Sequence, residues 1–355
     1  MIDPPPSHIL SSISSELKRD TFIWSNTFPT HLVCGINQRL TPVTSALLKR
    51  WTQDIMQGFW EEFHLCSVEV HTCGVLTYGI LPAGPEIPML STDPLPPGEY
   101  GWYFPVWLQK APSIYSMDRM PSFKVIQRSH IQRPNSCTGD PHRLYDVGPS
   151  VQAQVLQHDK NRCLFSGTTP PELTEITWVV PPYFAYVAFP TTSYRETAGM
   201  SSDKLETPSN AVLMHKDLIP LFNDNAFSVD IDPLGQDDYR ILIFRELGSA
   251  RGLLPTHMPP REPDPQFETF LRGHFHSSLR ANIFNGDIRE EYSTNTIVRM
   301  MEELGVGEKD EDDLAPMDDP RWQTVLGKEI WEDVMRRRIA NADVGYDSEE
   351  FVEDD

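Results

Sequence analysis

The chain has 355 residues, of which 39% are hydrophobic and 10% aromatic, so it carries enough apolar surface for a core and disorder throughout is excluded. Its 30 basic and 51 acidic residues give a net charge of −21, which argues against a broad, non-specific nucleic-acid binder because phosphate backbones attract basic surfaces. Residues 302–355 hold 19 acidic and 6 basic residues, a net charge of −13, so the remainder of the chain is far less acidic.

The first residues predict a loose opening segment over 1–40. From Thr41 the pattern changes, because large apolar residues recur every four positions and Pro42 suits the first turn of a helix. This stripe predicts an amphipathic helix over residues 41–65. Its apolar positions are Val43, Leu47, Trp51, Ile55, Phe59 and Phe63.

An N-terminal α/β region with Pro-rich loops is predicted over residues 41–149. Alternating β-branched residues predict one or two strands over 67–80. The aromatic segment 100–107 predicts a strand at a sheet edge, because Pro105 cannot donate a ladder hydrogen bond. A further short strand is predicted over 123–128.

A second compact unit is predicted over residues 150–248. It begins with a short helix near Val151, continues with strands over 176–180 and 210–214 and a helix over 215–224, and ends with a hairpin. The hairpin strands are predicted at 226–232 and 239–244, around the turn signal Asp232-Pro233-Leu234-Gly235. Helical periodicity then predicts a helical region over 262–341, and the composition of 342–355 predicts a disordered acidic tail.

Five cysteines are present without any C-x-x-C pair, so a zinc ribbon or a disulfide scaffold is not predicted and free thiols are expected. The N-terminal residues lack a secretory pattern, and no run of about 18 apolar residues exists. We therefore expect an intracellular protein, cytoplasmic or nuclear, with no membrane partner.

The ordered motifs of the second unit resemble the fungal branch of the HNH nuclease family over residues 162–245. The segments that carry the resemblance are Arg162-Cys163, Ser166-Gly167, Trp178-Val179-Val180-Pro181, Asn210-Ala211-Val212-Leu213, Asp217–Asn223 and Phe227. The resemblance implies a ββα unit that holds one divalent cation. It also implies a first His that acts as general base on water, an Asn that orients it, and a His on the helix that ligates the metal.

This sequence departs from the family at two of those three positions. Trp178 stands in place of the base, and an indole N–H only donates a hydrogen bond. Ile219 stands in place of the metal ligand and has no ligand atom, so only Asn210 matches. We therefore predict a degenerate site with no catalytic residue and no cofactor.

Three sets of residues have more than one open interpretation. His215 and Asp217 could bind a divalent cation weakly if both lie on the helix, or they could lie in solvent at its start, where Asp217 favours the positive helix end. Trp178 and Ile219 could fill a vacated cleft together, or Trp178 could line an apolar pocket for a ligand. His274 and His276 are predicted to pack or face solvent.

The sequence as a whole predicts an α+β chain in which a degenerate ββα-metal, HNH-like unit is flanked by an N-terminal α/β region and C-terminal helices. The favoured function is a catalytically inactive binding or regulatory module, with a protein partner favoured over nucleic acid. One alternative is an active metal-dependent endonuclease with a non-standard ligand set. The other is a protein–protein interaction scaffold that uses the acidic tail.

Overall fold

The computed structural model describes residues 8–26, 30–56, 63–103, 146–167, 170–182, 205–231, 239–259, 264–306 and 314–344. These residues form a mixed α+β fold with one five-stranded sheet and two separate two-stranded antiparallel sheets, which confirms the predicted α+β class. We call each two-stranded sheet a hairpin, although the first has a long connection between its strands. None of the helices in these ranges combines the length and the hydropathy that crossing a membrane requires.

The five-stranded sheet is built from the N-terminal part of the chain. Its strands are β1 (Thr21–Ser25), β2 (Leu32–Ile36), β3 (His64–Gly74), β4 (Thr77–Ile87) and β5 (Gly98–Tyr103). They lie in the order β2-β1-β5-β3-β4, and the sheet is mixed because β1 and β5 run parallel while the other pairs are antiparallel.

Two predictions for this region are wrong. The described part of residues 1–40 is not loose, because it contains α1 (Ser12–Glu16), β1 and β2. β1 is buried at every position, so it lacks the polar–apolar alternation that reveals a half-exposed strand. The aromatic strand β5 is not at an edge but lies between β1 and β3; Pro105 itself lies outside the described residues.

The predicted helix over residues 41–65 is shorter in the structure. Helix α2 spans Ser45–Met56, residues 57–62 lie outside the described ranges, and His64 and Leu65 already belong to β3. The predicted strand over 123–128 also lies outside the described residues.

The sheet is covered on both faces. Side chains that alternate along the strands pack on one face against α2 and α5 (Pro265–Asn282), and on the other against α6 (Thr294–Glu303) and α7 (Val325–Val344). Ile23 of β1 therefore shares a cluster with Trp51 and Phe275, whereas its neighbour Trp24 shares one with Leu326 and Ile330. Because α7 continues to Val344, the first residues of the predicted disordered tail are helical.

The second half of the chain supplies two hairpins and two short helices. Helix α3 (Pro149–His158) precedes the hairpin of β6 (Thr174–Trp178) and β7 (Ala211–His215), which leads into helix α4 (Ile219–Asn223). The hairpin of β8 (Phe227–Ile231) and β9 (Tyr239–Ile243) follows at the positions that the sequence predicts. Helix α5 then packs along β8.

Strand β9 and helix α5 each contribute to two hydrophobic clusters. Ile241 and Ile243 of β9 pack into the cluster around Phe222 and Phe227, whereas Leu242 packs into the cluster under the five-stranded sheet. In α5, Phe267, Phe270 and Leu271 join the first cluster, and Phe275 and Leu279 join the second. The hairpin and the helix therefore form a wall shared by both halves of the chain.

A buried ion pair fixes α2 against this wall. Both carboxylate oxygens of Asp230, a residue 3% exposed in β8, accept hydrogen bonds from the Arg50 guanidinium, at 2.8 and 2.5 Å. The indole Nε1 of Trp51 donates to the same carboxylate at 3.2 Å. A buried carboxylate loses its hydration, and only these donors compensate for that loss. The alignment of α2 with β8 that brings Arg50 and Trp51 to Asp230 is therefore favoured over others.

Replacing Arg50 with Leu leaves the Asp230 charge buried with one neutral donor. We expect the free energy of unfolding in urea to fall by about 3 kcal/mol, as is typical when one partner of a buried pair is removed. The matched control is Lys49→Leu, one residue away on the same helix, which should change it by less than about 0.5 kcal/mol. An equal loss in both variants would show that the ion pair contributes nothing specific.

Candidate functional site

Asn210 lies at the junction that the sequence predicts to be the site. It ends the short turn Pro208–Asn210, directly precedes β7 and is fully buried. Its side-chain oxygen accepts a hydrogen bond from the Val180 amide at 3.0 Å, and its nitrogen donates to the carbonyl oxygens of Val180 at 2.7 Å and Leu205 at 2.9 Å. The Asn210 side chain therefore ties the segment after β6 to the turn before β7.

Trp178 is the last residue of β6 and lies opposite Ala211, next to Asn210. Its side chain is buried and packs with the apolar residues that join the hairpin to α3, namely Val147, Val155, Ala211 and Leu213. Its Nε1 has no hydrogen-bond partner within the described residues. Position 178 is thus part of a core, with one buried donor left unsatisfied.

Ile219 lies in a different environment. It is the first residue of α4 and packs, half-buried, against the cluster that contains Val179, Val212 and Phe222. Because successive residues of a strand point to opposite faces, Ala211 and Leu213 face α3 while Val212 and Met214 face the other cluster. The structure therefore does not bring the side chains of Trp178 and Ile219 into one cleft.

Of the two weak metal candidates, His215 differs from its predicted placement, whereas Asp217 is exposed just before α4, as one of the interpretations predicts. His215 is the last residue of β7, not part of a helix, and it is buried rather than in solvent. Its Nδ1 accepts a hydrogen bond from the Asp217 backbone amide at 3.1 Å, so only Nε2 could act as a ligand. The Asp217 carboxylate is exposed and lies 3.8 Å from Nδ1. Within the described ranges, no group of three or more His, Cys, Asp or Glu side chains is placed to hold a metal ion.

A groove of about 820 Å³ lies beside Trp178, between α3 and β6. Gln152 and Leu156 of α3 line one side, and Ile176 and Trp178 of β6 line the other. The exposed acidic residues Asp146, Glu175 and Glu206 are also among the lining residues, and none of the described lining residues is Lys or Arg. Since side chains alternate along β6, the Glu175 side chain lies on the face opposite Ile176 and Trp178. Trp178 therefore lines a cavity, as the pocket hypothesis predicts, but the walls of this cavity are partly acidic rather than purely apolar.

The elements that form this groove are predicted by the sequence, but the groove is not. The helix near Val151 and the strand over 176–180 both follow from local patterns. Neither signal shows that α3 lies on the Trp178 face of the hairpin, because that placement depends on tertiary packing.

His274 is the most strongly perturbed histidine among the described residues, and it is structural. Its ring stacks on Phe222 with the ring centroids 3.6 Å apart. Nε2 lies 3.0 Å from the Phe222 carbonyl oxygen and donates to it, so Nδ1 accepts from the Ser228 hydroxyl at 2.7 Å. Ser228 and His274 are both fully buried, which leaves no room for a substrate at this serine–histidine contact.

Comparisons of the chain with protein-family models, with curated proteins and with solved structures each found no match.

The free energy of unfolding should depend on the protonation of His274 as the pH falls. Burial lowers the pKa of His274 from its ordinary value of 6.5 to about 3. The unfolded chain therefore takes up this proton below pH 6.5 while the folded chain does not, so stability present above pH 6.5 is lost towards pH 3. Between pH 6 and 4, we expect wild type to lose up to about 1.4 kcal/mol per pH unit more than His274→Gln. Urea titrations at each pH measure this difference, and parallel slopes would contradict it.

Proposed function

We propose that this chain is a binding or regulatory module without nuclease activity, on a scaffold that resembles the fungal HNH nucleases over residues 162–245. The observation that carries this proposal is the separation of two side chains. Trp178 and Ile219, which stand where the resemblance implies the general base and the metal ligand, pack into different apolar clusters on opposite faces of the β6–β7 hairpin. This geometry departs from the single one-cation centre that the resemblance implies, so the likeness of the scaffold rests on the order of its elements and on Asn210 alone.

The order of elements supports the likeness of the scaffold. Strand β6 leads to a turn that ends in Asn210, then to β7 and the short helix α4. The Asn210 side chain bridges the two ends of the connection through three hydrogen bonds, which is a loop-organising role of the kind that the resemblance implies.

The chemistry of the two other positions supports the absence of hydrolysis. Attack on a phosphodiester requires a group that accepts a proton from water and a cation that neutralises charge on the phosphoryl oxygens. An indole accepts no proton near neutral pH, and an isoleucine offers no electron pair to a cation. Because the two side chains also face different clusters, a small movement of either would not bring the two positions together.

The alternative endonuclease with another ligand set gains nothing from His215 and Asp217. One imidazole nitrogen of His215 is occupied by the Asp217 amide, and the ring is buried among the hairpin residues. The alternative interaction scaffold would use the acidic tail, of which residues 345–355 lie outside the described ranges. The acidic groove beside Trp178 instead supports binding of a partner by the module itself.

The first test is cleavage of supercoiled plasmid by the full chain with Mg²⁺, Mn²⁺ or Zn²⁺. We expect no nicking above that of an EDTA-treated sample. Cation-dependent nicking that is abolished by Asp217→Ala, but not by the control Asp318→Ala, would support the endonuclease instead. Both carboxylates are exposed, so neither substitution should affect folding. Asn210→Ala is unsuitable here, because it removes three buried hydrogen bonds.

The second test restores the missing imidazoles. We expect the double variant Trp178→His with Ile219→His to bind Mn²⁺ no more strongly than wild type in isothermal titration, because the two side chains point to opposite faces of the hairpin. Each single variant serves as the control for folding, checked by circular dichroism. New cation binding that requires both histidines would show that the two positions meet in one centre, against the proposal.

A further inference from the structure

We propose that the groove between α3 and β6 binds an extended peptide segment that carries Lys or Arg side chains, and that the peptide adds as a strand to the open edge of β6. This inference deepens the proposed function, on which it rests, by naming the class of partner and the surface that recognises it. Three features support this assignment, namely the outward backbone groups of β6, the charge of the groove and its size.

The backbone amide and carbonyl groups of Ile176 face away from β7. Ile176 pairs with Leu213, whose amide donates to the Asp159 carboxylate at 3.0 Å and whose carbonyl accepts from the Leu164 amide at 2.8 Å. Both polar groups of Leu213 therefore face away from β6, which makes this a pair without mutual hydrogen bonds. In such a pair the amide and the carbonyl of Ile176 also face outward.

The alternation fixes the rest of the edge. The Val179 amide donates to the Asn210 carbonyl at 2.8 Å, so the odd-numbered residues of this segment bond across the hairpin and the even-numbered ones face outward. No described strand pairs with that outer edge of β6. Outward N–H and C=O groups on a strand are a template for another strand, which is how peptide strands are captured by sheet edges.

The groove beside this edge is acidic. Its lining includes the exposed acidic residues Asp146 and Glu206, and its described lining has no Lys or Arg. The N-terminus of α3 adds only about half a positive charge, which two full negative charges outweigh. A cationic side chain is therefore attracted, and an acidic one is repelled.

The walls also offer an apolar anchor for the peptide. Leu156 is 39% exposed although it is a large apolar residue, and it lines the groove together with Ile176. A bound segment would cover this aliphatic surface.

The dimensions suit a short segment. The groove volume of about 820 Å³ lies within the range of ligand sites. Five residues of β6 extend over roughly 17 Å, which accommodates five or six residues of an added strand. Two copies of this chain each carry a net charge of −21, so repulsion disfavours self-pairing at the same edge.

The test uses a fluorescein-labelled octapeptide of alternating valine and lysine, titrated with the full chain at 0.15 M NaCl and followed by fluorescence anisotropy. We expect saturable binding of this peptide, and at least tenfold weaker binding of the peptide in which glutamate replaces lysine. The double variant Asp146→Lys with Glu206→Lys should also weaken binding at least tenfold. The matched control, Glu302→Lys with Glu332→Lys, makes the same change in net charge at exposed positions of α6 and α7 and should leave binding unchanged.

Backbone methylation separates strand addition from simple charge attraction. Two isomers of the lysine peptide carry N-methyl groups either on every valine amide or on every lysine amide. Because only alternate amides of an added strand face its neighbour, one isomer should lose at least tenfold in affinity while the other keeps most of it. Equal binding of both isomers and the parent peptide, equal binding of the glutamate peptide, or a stable dimer that the peptide does not dissociate would overturn the proposal.

Failure of this inference and failure of the proposed function are distinguishable. Plasmid cleavage that depends on Asp217 would contradict the proposed function whether or not the peptide binds. Absence of peptide binding together with absence of cleavage would overturn only the assignment of this groove.

Discussion

The architecture depends on one constraint, namely that β9 and α5 are apolar on two sides. Ile241 and Leu242 are consecutive residues, yet they belong to the cores of different halves of the chain. In α5, Phe270 belongs to the core of one half and Phe275, little more than one turn later, to the core of the other. Removing either half would expose one face of this wall, at a cost of about 25 cal/mol for each Å² of apolar surface. The two halves therefore stabilise each other.

Polar groups at the ends of α5 fix the alignment that the apolar surfaces leave undetermined. The Asp264 side chain accepts hydrogen bonds from two amides of the first turn. At the other end, the buried Arg19 guanidinium donates to the carbonyl oxygens of Asn282 and Asn285, where the helix dipole is negative. Since Arg19 directly precedes the segment that enters β1, this contact ties the start of the chain to the helix at the centre of the fold.

Periodic elements could be predicted from the sequence, and elements defined by their neighbours could not. Helix α5 and the hairpin β8–β9 follow from periodicity and from a turn signal, because these patterns are local. Strand β1 escaped prediction because it is buried throughout, and β5 was assigned to an edge because Pro105 says nothing about which strands flank it. Local pattern determines which residues share a face, whereas the choice of packing partner for that face is a property of the whole chain.

The candidate site shows the same division. The sequence identified Asn210, and the structure shows a buried residue with three side-chain hydrogen bonds. The sequence predicted a helix over 215–224 that includes His215, whereas the strand continues through His215 and the helix begins at Ile219. That the Trp178 face of the β6–β7 pair is the one covered by α3 depends on tertiary packing, and no local pattern carries that information.

The energetics of Trp178 explain why an indole is stable where the resemblance implies an imidazole. A tryptophan buries about 150–250 Å² on folding, which contributes about 4–6 kcal/mol of apolar transfer. Leaving its N–H without an acceptor costs about 1–3 kcal/mol. Burial therefore outweighs the unsatisfied donor, and the indole holds α3 against the hairpin. A catalytic centre at this position would instead need an open polar cleft, which would remove the contact that positions α3 and, with it, one wall of the acidic groove.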